Sequence, residues 1–127
     1  MKLNLKELIS KLVNAPIVIE EGTSGIWTYR KWSSGIAECW GTKSKSISGV
    51  SKTAPFSGYC YEIGAVAFPT GLFISTPTAT VSGRLDSNYM CVSYSPVSTS
   101  SVSVELQANV SGTRTAYAYI HALGLWK

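Results

Sequence analysis

Residues 27–41 read WTYRKWSSGIAECWG, and their reading decides the fold. Two runs of aromatic and β-branched residues flank Ser33-Ser34-Gly35, and Gly35 can take the positive φ that a tight turn requires, so the stretch predicts a β-hairpin. Side chains on a strand alternate between faces. In the first arm Ile26, Thr28, Arg30 and Trp32 therefore point one way, and Trp27, Tyr29 and Lys31 the other. In the second arm Ile36, Glu38 and Trp40 share a face, and the small Ala37, Cys39 and Gly41 form an opposite face that can pack closely against a neighbour. Three of the four tryptophans lie here, which predicts a large share of the buried aromatic area.

The last third of the chain repeats the strand signal. Ala79, Val81, Gly83 and Leu85 alternate with Thr78, Thr80, Ser82 and Arg84, and Asp86-Ser87-Asn88 reads as a turn. A strand over 88–94 follows, and then a Ser/Pro loop. In 101–110, Val102, Val104, Leu106, Ala108 and Val110 face in, and Ser103, Glu105, Gln107 and Asn109 face out, the pattern of an antiparallel sheet wet on one side. After the turn Ser111-Gly112-Thr113, the final strand places Tyr117, Tyr119, His121 and Leu123 opposite Ala118, Ile120, Ala122 and Gly124. With no polar face except at its ends, it is expected to be covered on both sides, at the centre of a sandwich or against neighbouring subunits.

Between these regions the signals are weaker. PIVIEE (16–21) is extended and Gly22 to Gly25 a loop; TKSKSISGV (42–50) reads as a lysine-bearing edge strand. A strand over 59–66 puts Tyr59, Tyr61, Ile63 and Ala65 on one face, with Cys60, Glu62, Gly64 and Val66 on the other. Together these give a mainly β fold, an antiparallel β-sandwich or barrel of about nine strands with a short N-terminal α-helix, in one β-domain over 15–127.

The helix is residues 1–14, where Leu5, Leu8, Ile9, Leu12 and Val13 recur at spacings of three and four and Pro16 ends the run. So short a helix needs a packing partner. Either it lies across the open end of its own domain, or three copies form a parallel neck with Leu5, Leu8, Ile9 and Leu12 at the seam. The neck is the preferred reading.

Charged residues make up 14% of the chain, against ~25% in ordinary soluble domains, and the net charge of +4 forms no basic block. Nucleic-acid binding is therefore not expected. No apolar run is long enough to span a bilayer, and no signal peptide is recognisable. Cys39, Cys60 and Cys91 are odd in number and widely spaced, predicting buried free thiols and neither a zinc site nor a disulfide framework.

The string YRKWSSGIAECWG, the acidic strand IVIEEG before it and the ending HALGLWK together resemble the C-terminal domains of tail-fibre or minor structural proteins from phages and prophages of Gram-positive bacteria. The resemblance runs over about residues 17 to 127 and is specific at its two ends. Leu125 departs from it, standing where a basic residue is more usual. The resemblance implies a trimeric β-module of the phage virion, made in the bacterial cytoplasm, joined to an upstream tail-fibre or baseplate segment and used to bind the host surface.

No catalytic chemistry, metal site or cofactor is expected. His121 is the only histidine, a structural or interface residue in this reading, and a triad around it would need a serine and a carboxylate that spacing does not place. Glu20, Glu21, Glu38, Glu62, Asp86 and Glu105 offer no distinguished pair, and Glu20 and Glu21 alternate across a strand. Binding is the better expectation. Sugars are held by aromatic rings against their C–H faces and by hydroxyl, amide and charged groups around them. The candidates are Trp27, Tyr29, Tyr59, Tyr61, Tyr89 and Tyr94 near loops, with Arg84, Asp86 and Asn88 on a turn. Three functions follow: a homotrimeric adhesion domain for bacterial surface glycans, a purely structural fibre-tip or trimerisation module, or a secreted monomeric carbohydrate-binding module.

Overall fold

The computed structural model describes residues 4–6, 15–53 and 57–127. Ten strands follow in order: β1 (Val18–Ser24), β2 (Trp27–Trp32), β3 (Ile36–Ser48), β4 (Val50–Lys52), β5 (Gly58–Ala67), β6 (Thr78–Leu85), β7 (Tyr89–Met90), β8 (Val92–Tyr94), β9 (Ser101–Ala108) and β10 (Thr113–Leu125). They form two antiparallel sheets, a six-stranded sheet A ordered β1-β2-β3-β10-β6-β7 and a four-stranded sheet B ordered β4-β5-β9-β8. The architecture is a sandwich. Of the expected helix, Leu5 and Lys6 are helical and Leu5 is exposed; Leu8, Ile9 and Leu12 lie outside the described residues.

The hairpin forms as its residues dictate. Trp27 pairs with Gly41 and Lys31 with Ala37, Gly35 takes φ 97°, and its N–H donates to the Trp32 carbonyl at 3.0 Å. Ala37 and Cys39 are fully buried, as the small face requires. Trp27 is buried as well; its indole N–H donates to the Ala67 carbonyl at 2.7 Å, and its ring packs on Phe68, which packs edge-on against Phe73. A loop carrying Phe68, Leu72 and Phe73 thereby closes one end of the core.

β3 and β10 pair over their whole length, from Ile36↔Leu125 to Ser48↔Thr113. The stretch expected as a separate edge strand at 42–50 is thus largely the second half of β3; only Gly49 interrupts it before β4. β10 does sit inside its sheet, between β3 and β6. Within the single chain it is covered on one of its two faces. Ala116, Ala118, Ile120 and Ala122 are buried, whereas Tyr119, Leu123 and Leu125 are exposed, because sheet B lies against one face only.

Two further corrections concern sheet B. The register of β5 against β9 slips between Glu62 and Gly64, where Gly64 takes φ 89°. An extra residue in one strand reverses the alternation beyond it. Val66, not Ala65, therefore joins Tyr61 and Ile63 in the core. The strand expected over 88–94 is two strands, β7 in sheet A and β8 in sheet B, with the chain crossing between the sheets at Cys91. Ser93 of β8 ties the sheets together by donating to the Val81 carbonyl at 3.0 Å.

The two ends of the motif-bearing region meet. Trp126 donates its backbone N–H to the Gly35 carbonyl at 2.9 Å and its indole N–H to the Trp32 carbonyl at 2.8 Å. Lys31 and Lys127 place their ammonium groups 5.4 and 5.1 Å from its ring. The C-terminal Trp thus latches the hairpin turn. Replacing Trp126 by Phe keeps the ring and removes the indole donor, so a loss of about 1 kcal/mol is expected in urea unfolding. Gly41→Ala is expected to cost about 1–3 kcal/mol, because a Cβ there would lie 2.5 Å from the Ile26 backbone oxygen, which has little room to move.

Candidate functional site

The sequence-derived candidates separate into three groups. Trp27 and Tyr61 belong to the core and are corrected on that ground: both are buried, and the Tyr61 hydroxyl donates to the Val110 carbonyl at 2.6 Å, closing the turn before β10. Tyr29 and Tyr59 are half-buried and pack on the core margin. Tyr89, Tyr94 and Asn88 are exposed, but Tyr89 lies under the Arg114 guanidinium at 4.9 Å.

Arg84 and Asp86 form a built network. Asp86 adopts φ 51°, a conformation Asp tolerates better than most residues, and it accepts the Thr115 N–H at 2.9 Å and an Arg114 N–H at 3.2 Å. The Thr115 hydrogen bond, followed by Arg114, holds its carboxyl below the ordinary carboxylate value. Arg84 donates to the Asp86 carbonyl at 2.7 Å and to the Tyr119 hydroxyl at 2.8 Å, and its guanidinium lies 4.1 Å from the Tyr117 ring. The turn thus locks the end of β6 onto β10.

On the outer face of sheet B, Cys60 donates its thiol to the Glu105 carboxylate, which also accepts from Lys52 at 2.9 Å. These two contacts, the thiol first, depress the Glu105 pKa. Burial, then Glu105, pushes the Cys60 thiol up to about 11; burial pushes Cys39 up to about 12 and raises Cys91. The thiols are free, as expected, and held in the protonated form that is neither nucleophilic nor metal-binding. No group of three or more His, Cys, Asp or Glu able to hold a metal occurs among the described residues.

His121 lies on the outer face of sheet A, with Nε2 2.9 Å from a Glu38 carboxylate oxygen. Glu20 and Glu21 point to opposite sides, as alternation requires, pairing with Lys31 at 3.2 Å and Arg30 at 2.9 Å. Each of these carboxylates is engaged by a cation or a histidine.

Two exposed surfaces escaped the sequence reading. At the end of the sandwich nearest residue 15, exposed Ile17, Ile36, Ile74 and Leu125 come together: Ser33 donates to the Ile17 carbonyl, Ile36 pairs with Leu125, and Ile74 donates to the Leu125 carbonyl. The second surface is the outer face of sheet A around Trp40 and Tyr119. Strand parity places each ring on the outward side of its own strand, but the β3–β10 register was needed to bring them together.

Neither a family model nor a curated protein sequence matches the chain. Solved structures do. The N-truncated R1-type pyocin tail fibre superimposes with a TM-score of 0.58 at 9% identity, covering 98% of this chain and 99% of that one. A C-terminal fragment of the P. aeruginosa R1 pyocin fibre superimposes with a TM-score of 0.54 at 9% identity, covering 97% of this chain and 32% of the fragment. At this identity the likeness is one of fold: the chain has the fold of a pyocin tail-fibre domain. A Gram-positive origin gains no support from either structure.

Two outcomes follow from the titrating groups. Because the folded-state pKa values of Asp86 and Glu105 lie below those of the unfolded chain, both stabilise the fold above about pH 4, and that contribution is lost as pH falls through the folded values. Urea midpoints are expected to fall on acidification from pH 5, less steeply in Asp86→Asn. At neutral pH the buried Cys39 and Cys60 are expected to resist Ellman's reagent in the native chain, the half-buried Cys91 to react more readily, and all three to react in urea; rapid reaction of all three in the native chain would contradict that burial.

Proposed function

We propose that this chain is a module of a phage or phage-like tail fibre that attaches the particle to a bacterium by binding surface glycans as a homotrimer. The observation that carries the reading is the fold shared with the R1-type pyocin tail fibre over nearly the full length of both chains. In this reading residues 1–14 form the trimeric neck that joins the upstream fibre or baseplate segment. The apolar end at Ile17, Ile36, Ile74 and Leu125 supports it, since an exposed apolar patch beside residue 15 is where copies converging on a neck would meet. Free, protonated thiols fit assembly in the reducing cytoplasm before incorporation into a virion tail. The module acts by adhesion and not by catalysis, takes no cofactor, and neither binds nucleic acid nor inserts into a membrane.

Light scattering of the full chain tests the assembly: three chains per particle are expected, with dissociation when Leu5, Leu8 and Leu12 are replaced by Ser. A monomer in both forms would overturn the neck. Adhesion is tested by binding of the labelled full chain to whole bacteria, expected to saturate and to be competed by polysaccharide isolated from the same cells. A trimer that binds no cells would make the chain a structural fibre module instead.

A further inference from the structure

On the outer face of sheet A, Trp40 stands opposite His121, and His121 opposite Thr80; one pair further along, Tyr119 stands between Thr42 and Ser82. Short hydroxyl side chains therefore alternate with tall rings. The difference in height leaves a trough of ≈ 350 Å³ lined by these residues.

Three features make the trough more than a gap. Trp27 and Trp126 donate their indole N–H groups to backbone carbonyls, whereas the Trp40 N–H meets no acceptor among the described residues. Both rings are held in place, Trp40 by the Arg30 guanidinium over one of its faces, 5.1 Å from the centroid, which leaves the opposite face for a ligand, and Tyr119 by the hydrogen bond from Arg84, so little side-chain freedom remains to be lost on binding. Cations also stand beside the trough: Glu21 is paired with Arg30 and Glu38 is hydrogen-bonded to His121, while Arg84, next to Tyr119, forms no ion pair with a carboxylate among the described residues. An anionic group at the Tyr119 end would therefore meet an uncompensated guanidinium, the donor best suited to a carboxylate.

We propose that this trough binds an acidic oligosaccharide. Sugar rings lie against Trp40 and Tyr119, ring hydroxyls meet Thr80, Ser82 and the Trp40 N–H, and a carboxylate lies at Arg84. The proposal rests on the adhesive reading above and names the chemistry of its ligand.

The test is a titration of the full chain with trigalacturonate and, separately, with neutral maltotriose, following the tryptophan indole N–H signals by NMR. Trigalacturonate is expected to move the Trp40 signal and to bind more tightly than maltotriose. Trp40→Ala, followed through the remaining signals, is expected to weaken binding by about tenfold, the loss of one stacking contact, while Trp40→Phe keeps most of it. Arg84→Gln is expected to abolish the preference for the acidic sugar, and Arg84→Lys to restore part of it. No shift with trigalacturonate, equal binding of maltotriose, or binding indifferent to Trp40→Ala would each overturn the assignment. So would a change of oligomeric mass in Trp40→Phe, which would mark this face as a contact between copies. Trigalacturonate binding without cell adhesion would defeat the adhesive reading and leave the site; adhesion unaffected by Trp40→Ala would defeat the site alone.

Discussion

The structure depends on the continuous pairing of β3 with β10 and on the smallness of what that pair turns inward. Ala37 and Cys39 on one strand and Ala116, Ala118 and Ala122 on the other leave little relief beyond Ile120, so sheet B can approach closely. The bulk comes from the other side, where Tyr61, Val104 and Leu106 fill the space. Close packing of large against small side chains is what gives an interior its density. At Gly83 the approach is tight enough that a Cβ would lie 2.5 Å from a Leu106 methyl.

That arrangement also determines where function can reside. With the inner face of sheet A given over to the core, its outer face carries Trp40, Tyr119 and His121 on the rigid middle strands of the sheet instead of on loops. Rings in such positions keep their spacing, because the ladder hydrogen bonds of three strands hold their backbones. The turn at Asp86 contributes at a distance: by holding Arg84 against Tyr119 and Tyr117 it positions a cation beside a ring that lines the trough. The apolar end, by contrast, is assembled by the Trp126 latch, which brings the chain terminus, the hairpin turn and the segment after Pro16 into one place. The trough and the apolar end thus arise from different parts of the molecule, the first from the middle strands of sheet A and the second from strand ends and the segments at Ile17 and Ile74.

Much of this was legible in the chain itself. The hairpin at Trp27 to Gly41, the inward sets of β6 and β9 and the small face of β10 follow from period-2 alternation, which is a local property and survives whatever the strands pack against. The bulge at Gly64 was missed: the alternation was carried unbroken through 59–66, although a glycine inside a strand pattern can mark such a site. The candidate rings were less legible. Trp27 and Tyr61 look like any loop-proximal aromatic in sequence, and only their burial removes them from the surface.

Strand periodicity and turn residues were determined by the sequence alone, because each depends on a residue and its near neighbours. Which strands share a sheet, that the chain changes sheets at Cys91, that one face of β10 stays open, and that Trp40 and Tyr119 bound one trough were decided only by tertiary structure. The physical reason is register: pairing joins residues as far apart as Ile36 and Leu125, and no local pattern specifies the pairing partner across that distance.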